Sequence, residues 1–393
     1  MNRFCRTSMT FPPAGLALRL ARSCTLQRLA KASGFPRRPA RFALGAASLV
    51  PFDNETFAMK HFALNACVAV GSIASILLSL SAQANDKIVL LTSWYAQAEQ
   101  GGFYQAKAKG LYAAQGLDVE IRMGGPQVNG MQLLLNKQAD VIINYDLQVL
   151  ASVQQGLPVV AIGAPFQGDP QGMLTHADVT TLDGLKDKKI LVSTSGQTTW
   201  WPWLKGKYGY TDAQARPYTF NLQPFFADPS TAQQGYPTSE LFQAQKAGEK
   251  ANFFLFADAG YPPYGSTLVT RQDVIASRPE VLQRFVAASM QGWKSYLAEP
   301  APANELIKKD NPSMNDELLD WGVAKLKEYR LVEGGDAATH GIGTMTDSRW
   351  RATRDFMVQA NLLSADTDWK KAYDTRFVKD LKVLPAAADV AAQ

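Results

Sequence analysis

Trp94 and Tyr95 directly follow a strand-like apolar run at residues 87–91. Open parallel sheets place their ligand crevice beyond the carboxyl ends of their strands. An aromatic ring at that position offers a flat surface for a planar ligand, and the polar edge of Trp or Tyr can form a hydrogen bond. The spacing therefore predicts a binding role for both residues, with ordinary core packing as the alternative.

Asn144, Tyr145 and Asp146 follow a later apolar run, residues 141–143, in the same way. Their amide, hydroxyl and carboxyl groups are suited to a polar ligand. Asp146 could instead cap the helix predicted after it, because aspartate at a helix start accepts a backbone N–H. We expect all three at the crevice and leave both roles of Asp146 open.

A hydroxyl-rich segment at residues 193–199 joins another predicted strand to a helix and contains Ser195, Gln197 and Thr198. Side-chain hydroxyls and backbone N–H groups at a helix start favour an anion or the polar edge of a ligand. Helix capping alone is the alternative. The segment lacks the Gly-x4-Gly-Lys frame of a phosphate-binding loop.

Tyr236 precedes a predicted helix whose first turn contains Glu240. A carboxylate there could accept hydrogen bonds from an amino-bearing heterocycle, or simply interact favourably with the helix dipole. Tyr261 lies in the proline-containing segment 260–264, which we expect to be a stiff crossover with Tyr261 as a wall of the cleft.

Catalytic and metal-binding residue patterns are missing after residue 84. All three cysteines precede that point, and the two later histidines, His176 and His340, do not have the spacing of metal ligands. The Gly-x-Ser-x-Gly motif of α/β hydrolases is also absent. We therefore expect no cofactor, no metal and no catalytic residues.

Residues 1–84 have the features of a leader. Met59, Lys60 and His61 form a short basic start, an apolar run follows at 62–80, and residues 81–84 supply a small-residue cleavage signal. We predict secretion, with Asn85 as the first mature residue and translation beginning at Met59. An organelle transit peptide or a twin-arginine signal within residues 1–58 is the alternative.

The net charge changes sign once the leader is excluded. The whole chain carries +5, whereas residues 85–393 contain 30 Lys and Arg against 33 Asp and Glu, a net charge near −3. Nucleic-acid binding would favour a basic surplus. We therefore expect no nucleic-acid partner.

Strand and helix signals alternate after the leader, the pattern of parallel strands with crossover helices. Strands are predicted at residues 87–91, 117–121, 141–143, 159–162, 189–192, 218–220 and 253–256. Helices are predicted at residues 102–109, 111–115, 128–135, 147–151, 198–208, 240–247 and 282–297. Helices dominate from residue 279 onwards.

Residues 86–121, DKIVLLTSWYAQAEQGGFYQAKAKGLYAAQGLDVEI, resemble the periplasmic binding proteins of ABC importers for nitrate, sulfonates, taurine and thiamine-precursor pyrimidines. This family shares its fold with the fungal thiamine-pyrimidine synthase. The resemblance implies an α/β, two-lobed periplasmic-binding-protein fold of type II, with parallel-rich sheets and a helical C-terminal region. We divide the mature chain into lobe one (86–170 plus 270–340), lobe two (171–269), C-terminal helices packed on lobe one (341–385) and a disordered tail (386–393).

The resemblance also implies a function: a periplasmic monomer that captures a small molecule by lobe closure and delivers it to permease and ATPase subunits in the membrane. Our first ligand hypothesis is a planar, nitrogen-rich molecule such as a thiamine-precursor pyrimidine. The alternative is an oxyanion: a sulfonate, taurine or nitrate. An enzyme like the fungal synthase is the least favoured, because its cofactor lysine and sacrificial histidine align with Asn144 and Gln148, and the mature chain has no cysteine for its iron-binding motif.

Overall fold

The computed structural model describes residues 85–386. The predicted leader, residues 1–84, lies outside the described residues, as do residues 387–393 of the predicted tail. Within the described part, no helix is both long and apolar enough to cross a membrane.

Ten strands form two five-stranded sheets in the described chain. The strands are β1 Asp86–Leu91, β2 Leu117–Arg122, β3 Val141–Asn144, β4 Val159–Phe166, β5 Gly172–His176, β6 Lys189–Val192, β7 Ala215–Pro217, β8 Thr231–Gly235, β9 Ala251–Leu255 and β10 Ser266–Arg271. The helices are α1 Gly101–Ala108, α2 Leu111–Ala114, α3 Gly130–Leu135, α4 Asp146–Gln154, α5 Thr194–Thr198, α6 Trp200–Tyr208, α7 Gln223–Ala227, α8 Glu240–Lys246, α9 Gln272–Ser277, α10 Pro279–Ala298, α11 Ala301–Asp310, α12 Asp316–Glu328, α13 Ala337–His340 and α14 Asp347–Gln359.

The first sheet has the strand order β2-β1-β3-β10-β4. β1 pairs in parallel with β2 and β3, whereas β10 runs antiparallel to β3 and β4. β3 and β4 are buried along their whole length, which explains why they are apolar apart from Asn144 at the end of β3. β10 crosses the predicted lobe boundary between residues 269 and 270, and it pairs entirely within the first sheet.

The second sheet has the order β7-β6-β8-β5-β9, in which β6 is parallel to β7 and β8, and β5 is antiparallel to β8 and β9. The strand predicted at residues 218–220 is wrong, because the paired strand ends at Pro217. Phe220 instead has a φ of 59°, in the left-handed region. Its ring lies 5.6 Å from the ring of Tyr95, so the chain turns there to complete an aromatic cluster.

The single helix predicted at residues 198–208 is also incorrect. Two helices, α5 and α6, are separated by Thr199, whose φ and ψ of −117° and −91° are not helical. The Ser193 hydroxyl caps α5 by accepting the Gly196 N–H at 3.1 Å. α6 ends at Tyr208 and is followed by Gly209, whose φ of 75° lies in the left-handed region that glycine favours.

Two crossover segments connect the sheets and lie against each other. The first contains Gly168 and Asp169, and the second ends at Gly265. A Cβ atom on Gly265 would lie 2.5 Å from the Gly168 carbonyl oxygen and 2.8 Å from the Asp169 Cα. The close approach of the two segments therefore requires glycine at position 265.

The C-terminal residues contact elements of the first sheet. The Asp374 N–H donates to the Ala161 carbonyl of β4 at 2.9 Å. Trp350 of α14 stacks on Tyr373 with ring centroids 4.8 Å apart. We retain the assignment of residues 341–385 to lobe one as part of our proposal for the domain organisation.

Candidate functional site

A cavity of about 350 Å³ lies between the two sheets and is lined from both sides. Segments that follow β1 and β3 contribute one wall, and segments around α5 and the end of β8 contribute the other. The lining residues are Thr92, Ser93, Trp94, Gln97, Val128, Asn129, Gly130, Met131, Ile143, Asn144, Tyr145, Gln148, Ala151, Ser152, Gln155, Leu157, Gln171, Thr194, Ser195, Thr198, Gln234, Gly235, Tyr236, Ser239 and Glu240.

The structure brings most of the predicted binding residues together at this cavity. Those that line it are Trp94, Asn144, Tyr145, Ser195, Thr198, Tyr236 and Glu240. Those outside its lining are Tyr95, Asp146, Gln197 and Tyr261.

Asp146 has a structural role in place of the crevice position we expected. Its buried carboxylate accepts the Tyr264 N–H at 3.1 Å and the Thr353 hydroxyl at 2.8 Å. It thereby joins the start of α4 to the second crossover and to α14. Burial raises the pKa of Asp146 to about 6, and these hydrogen bonds limit the rise.

The other three residues outside the lining differ in their surroundings. Tyr261 is buried against Trp203, with ring centroids 4.9 Å apart. Gln197 is exposed on α5. Tyr95 is half-buried, and its ring forms a T-shaped contact with that of Trp94, with centroids 6.0 Å apart.

Trp94 and Tyr218 form a contact across the cleft. The two rings are stacked, with centroids 5.8 Å apart and an interplanar angle of 10°. Trp94 follows β1 of the first sheet, whereas Tyr218 follows β7 of the second. One face of the indole is therefore covered by the opposite side of the cleft.

Hydrogen bonds also cross the cleft. The hydroxyls of Tyr145 and Tyr236 lie 2.7 Å apart, and the Gln148 amide donates to the Thr198 hydroxyl at 3.0 Å. Burial raises the pKa of both tyrosines, which keeps their hydroxyls neutral and able to donate. The two sides of the cavity are thus joined by neutral polar pairs.

Among the described residues that line the cavity, Glu240 is the one carboxylate, and 3% of its surface is exposed. It accepts the Tyr236 N–H at 2.8 Å and also the hydroxyls of Tyr218 and Ser239. Burial raises the pKa of Glu240, and these donors counteract the rise. A Cβ on Gly235 would lie 2.8 Å from the Glu240 Cβ, so the glycine permits this close approach.

Side-chain amides dominate the polar lining, and the described residues around the cavity include no Lys, Arg or His. The amide residues are Gln97, Asn129, Asn144, Gln148, Gln155, Gln171 and Gln234. Our sequence reasoning missed Gln97, Gln171 and Gln234 as candidates for ligand contact. Gln234 could have been found from its position two residues before Tyr236, had the polar strand β8 been recognised.

Metal-binding clusters of three or more His, Cys, Asp or Glu do not occur in residues 85–386. The cavity wall combines aromatic rings, side-chain amides and hydroxyls with the carboxyl group of Glu240. Such a site is suited to holding a small molecule.

Known proteins resemble the chain in both sequence and fold. The riboflavin-binding protein RibY of Chloroflexus aurantiacus is 24% identical over 304 residues, covering 75% of this chain and 86% of RibY. The formylaminopyrimidine-binding protein of Halalkalibacterium halodurans is 20% identical over 245 residues, covering 60% of this chain and 74% of that protein.

The solved structure of the alkanesulfonate-binding protein SsuA from Xanthomonas axonopodis pv. citri, bound to MOPS, superposes with a TM-score of 0.56 at 12% identity. It covers 75% of this chain and 100% of SsuA. This likeness shows the periplasmic-binding-protein fold. The family model described as NMT1/THI5 like matches residues 97–303, more than half of the sequence. The chain belongs to the NMT1/THI5-like family.

Proposed function

We propose that the protein is the extracytoplasmic solute-binding component of an ABC importer and that it catalyses no reaction. Its ligand is a small, planar, nitrogen-rich molecule such as a thiamine-precursor pyrimidine. The observation that carries this proposal is the amide-rich cavity between the two sheets, with Trp94 in its wall and Glu240 as the one acidic side chain among its described lining residues. We assign residues 86–170 with 270–340 to one lobe and 171–269 to the other, except that residues 266–269 join the first lobe because β10 pairs within its sheet.

The charge of the lining favours a neutral or cationic ligand over an anion. Burying an anion without a cationic partner carries a large desolvation cost. The described lining offers a carboxylate and no cationic side chain, so an oxyanion would rely on hydroxyl and amide donors alone. Aromatic and amide groups, in contrast, match the faces and edges of an uncharged heterocycle.

The names of the two sequence relatives support the same ligand class. Riboflavin and formylaminopyrimidine both contain flat nitrogen heterocycles with hydrogen-bonding edges. We therefore include flavins beside pyrimidines as candidate ligands.

The oxyanion alternative draws on a different part of the cavity. Thr194, Ser195 and Thr198 are among the lining residues and carry hydroxyl groups. SsuA, which has a similar fold, is an alkanesulfonate-binding protein. The Ser193 hydroxyl, however, already accepts the Gly196 N–H. We keep this alternative because a single screen separates it from the first hypothesis.

A thermal-shift screen of the secreted protein tests the proposal. The probes are 4-amino-5-hydroxymethyl-2-methylpyrimidine, riboflavin, taurine and nitrate. A ligand at a hundredfold excess over its Kd stabilises the folded protein by about 2.7 kcal/mol. Stabilisation by a heterocycle alone supports the proposal, whereas stabilisation by taurine or nitrate alone contradicts it.

Secretion and lobe closure have their own measurements. N-terminal sequencing should show that the exported protein begins at Asn85, and a chain that retains residues 1–58 would refute the predicted leader.

Small-angle scattering tests lobe closure. Adding the stabilising probe should make the protein more compact, because the polar groups of the cavity come from both sides of the cleft. An unchanged radius of gyration would argue against hinge closure.

A further inference from the structure

A second contact joins the two sides of the cleft outside the ligand cavity. It lies between α12 and the segment 237–246, which follows β8 of the second sheet and contains α8. We call this contact the outer clamp. Its residues are Pro237, Thr238, Phe242 and Lys246 on the second-sheet side, and Glu99, Glu317 and Trp321 on the first-sheet side. None of these described residues is in the lining of the cavity.

The first-sheet side of the outer clamp is held by the packing of α12. A Cβ atom on Gly322 would lie 2.6 Å from the Cβ of Ala98, so α12 closely approaches the segment that follows β1. Leu331, shortly after α12, accepts the N–H of Gln167 at 2.6 Å, and Gln167 directly follows β4. Because β1 and β4 belong to the first sheet, we expect α12 to move with that sheet.

Trp321 of α12 makes the central contact of the outer clamp. Its indole N–H donates to the Pro237 carbonyl at 2.9 Å, and its ring lies 5.5 Å from the ring of Phe242. A hydrogen bond and an aromatic pair each change an equilibrium constant by roughly 2- to 12-fold. Trp321 therefore connects α12 to the second sheet by two contacts that contain no ligand atom.

Polar contacts lie on either side of Trp321. The Thr238 hydroxyl donates to the buried carboxyl group of Glu99. The Lys246 ammonium pairs with the Glu317 carboxylate, and both of these side chains are exposed. An exposed ion pair adds little stability, but it forms only when α8 and α12 lie side by side.

We infer that Trp321 is a positioning residue that holds the two lobes closed from outside the cavity and so strengthens ligand binding. Residues 237–239 lie between Tyr236 and Glu240, which both line the cavity, so the outer clamp also fixes this part of the wall. Contacts made only in the closed form raise its population, and affinity rises with the population of the binding form. This inference rests on the lobe closure of the proposed function and is independent of the ligand class.

Substitutions of Trp321 test the inference through the Kd of a probe, measured by calorimetry. The probe is whichever of riboflavin, 4-amino-5-hydroxymethyl-2-methylpyrimidine, taurine and nitrate stabilises the protein in the thermal-shift screen. Trp321→Ala removes the hydrogen bond and the ring contact, so it should weaken binding roughly fivefold or more. Trp321→Phe keeps a ring beside Phe242 but has no N–H for Pro237, so its loss should be smaller.

Trp369 supplies a matched control. Like Trp321 it is half-buried, lies beside cationic side chains, here Arg351 and Lys370, and contacts another ring, that of Tyr373 at 6.0 Å. It is outside both the outer clamp and the cavity lining. Trp369→Ala should change the Kd by less than about twofold. Equal losses in Trp369→Ala and Trp321→Ala would overturn the inference.

A charge swap tests the outer clamp with little change in packing. Lys246→Glu and Glu317→Lys each place like charges in contact, so each should weaken the probe roughly 2- to 5-fold at low ionic strength. The double variant restores opposite charges and should recover the wild-type Kd. A double variant whose loss equals the product of the two single losses would show that α8 and α12 do not act together, and would refute the inference.

Distance measurements in the ligand-free protein give a readout that altered packing alone would not move. Residues 85–393 contain no cysteine, so Ala247→Cys and Ala324→Cys can each carry a spin label at an exposed position, directly after α8 and in α12. Trp321→Ala should shift the distance distribution between the labels to longer values, whereas Trp369→Ala should leave it unchanged. A distribution that Trp321→Ala does not alter would overturn the inference.

The outcomes separate the outer clamp from the proposed function. Stabilisation by taurine or nitrate alone refutes the proposed ligand class, and the same variants then test the outer clamp with that probe. If none of the four probes binds, the ligand class fails and the ligand-free distances decide the inference. An unchanged Kd in Trp321→Ala and in both single charge variants overturns the inference whichever probe binds.

Discussion

Replacing Asp169 with asparagine should make the stability of the protein less dependent on pH. Asp169 lies in the first crossover with 2% of its surface exposed. Its Oδ1 accepts the Gln171 N–H at 2.9 Å, whereas its Oδ2 has no hydrogen-bond partner within the described residues. Burial raises the pKa of Asp169 to about 8, the Gln171 N–H lowers it, and the nearby Asp146 raises it.

The sign of the effect follows from proton linkage. Between pH of about 4 and 8 the folded protein retains a proton on Asp169 that the unfolded chain has released. Raising the pH through this window therefore destabilises the folded state, and the full contribution is present only below the unfolded-state pKa. For a folded pKa near 8, the loss between pH 6 and pH 8 is about 2 kcal/mol.

Urea unfolding of the wild-type protein and Asp169→Asn at pH 5, 6, 7 and 8 measures this contribution. Asparagine keeps an oxygen for the Gln171 N–H but has no proton to lose. The wild-type free energy of unfolding should fall between pH 6 and 8 by about 2 kcal/mol more than that of the variant. Asp118→Asn, at an exposed position, is the control and should follow the wild-type curve.

Parallel curves for wild type and Asp169→Asn would refute this reasoning. They would mean that the Asp169 carboxyl is ionised in the folded protein near pH 6, with water or another donor at Oδ2. A slope change of equal size in Asp118→Asn would likewise show that the effect does not arise from burial in the crossover.

Three further substitutions have defined outcomes. Trp94→Ala should weaken ligand binding, measured by calorimetry, by about 0.5–1.5 kcal/mol beyond the lost buried area, because it removes a stacking surface; affinity within twofold of wild type would contradict this. Glu240→Gln should lower the free energy of unfolding by about 1–3 kcal/mol, since its amide NH2 would face the donors that Glu240 now accepts. It should weaken an amino-bearing ligand and spare an anionic one, and the reverse order would favour the oxyanion alternative. Gly102→Ala should destabilise by about 1–3 kcal/mol in urea unfolding, because a Cβ there would lie 2.2 Å from the ring of Trp293; an unchanged midpoint would show that α10 moves aside without cost.

Several cavity residues were predictable because their positions follow from strand ends. Trp94 and Asn144 lie at the carboxyl ends of apolar strands, which the alternation of strand and helix signals predicts. Parallel pairing of β1 and β3 then brings those two ends together. Tyr236 and Glu240 were predicted from the helix start that follows β8. For these residues, the local sequence pattern and the geometry of the sheets both predict a position at the cavity.

Other residues depended on contacts that no local pattern encodes. The strand β8 has the sequence TAQQG and was not predicted, because its buried positions are mostly polar. Gln234 therefore lacked a structural context in the sequence. Asp146 lies close to the end of β3, as Asn144 does. Its carboxylate, however, accepts hydrogen bonds from Tyr264 and Thr353, which are 118 and 207 positions further along the chain and come near only when the chain folds.

The sequence by itself determined the leader hypothesis, the alternating α/β pattern, the family resemblance and the charge near −3 after residue 84, because each depends on composition or short-range periodicity. The tertiary structure decided the pairing of β10 with the first sheet, the stack of Trp94 on Tyr218 and the hydrogen bonds from Tyr264 and Thr353 to the buried carboxylate of Asp146. These features arise from long-range packing and from the competition of backbone N–H groups for side-chain oxygens. Both depend on which distant segments meet when the chain folds.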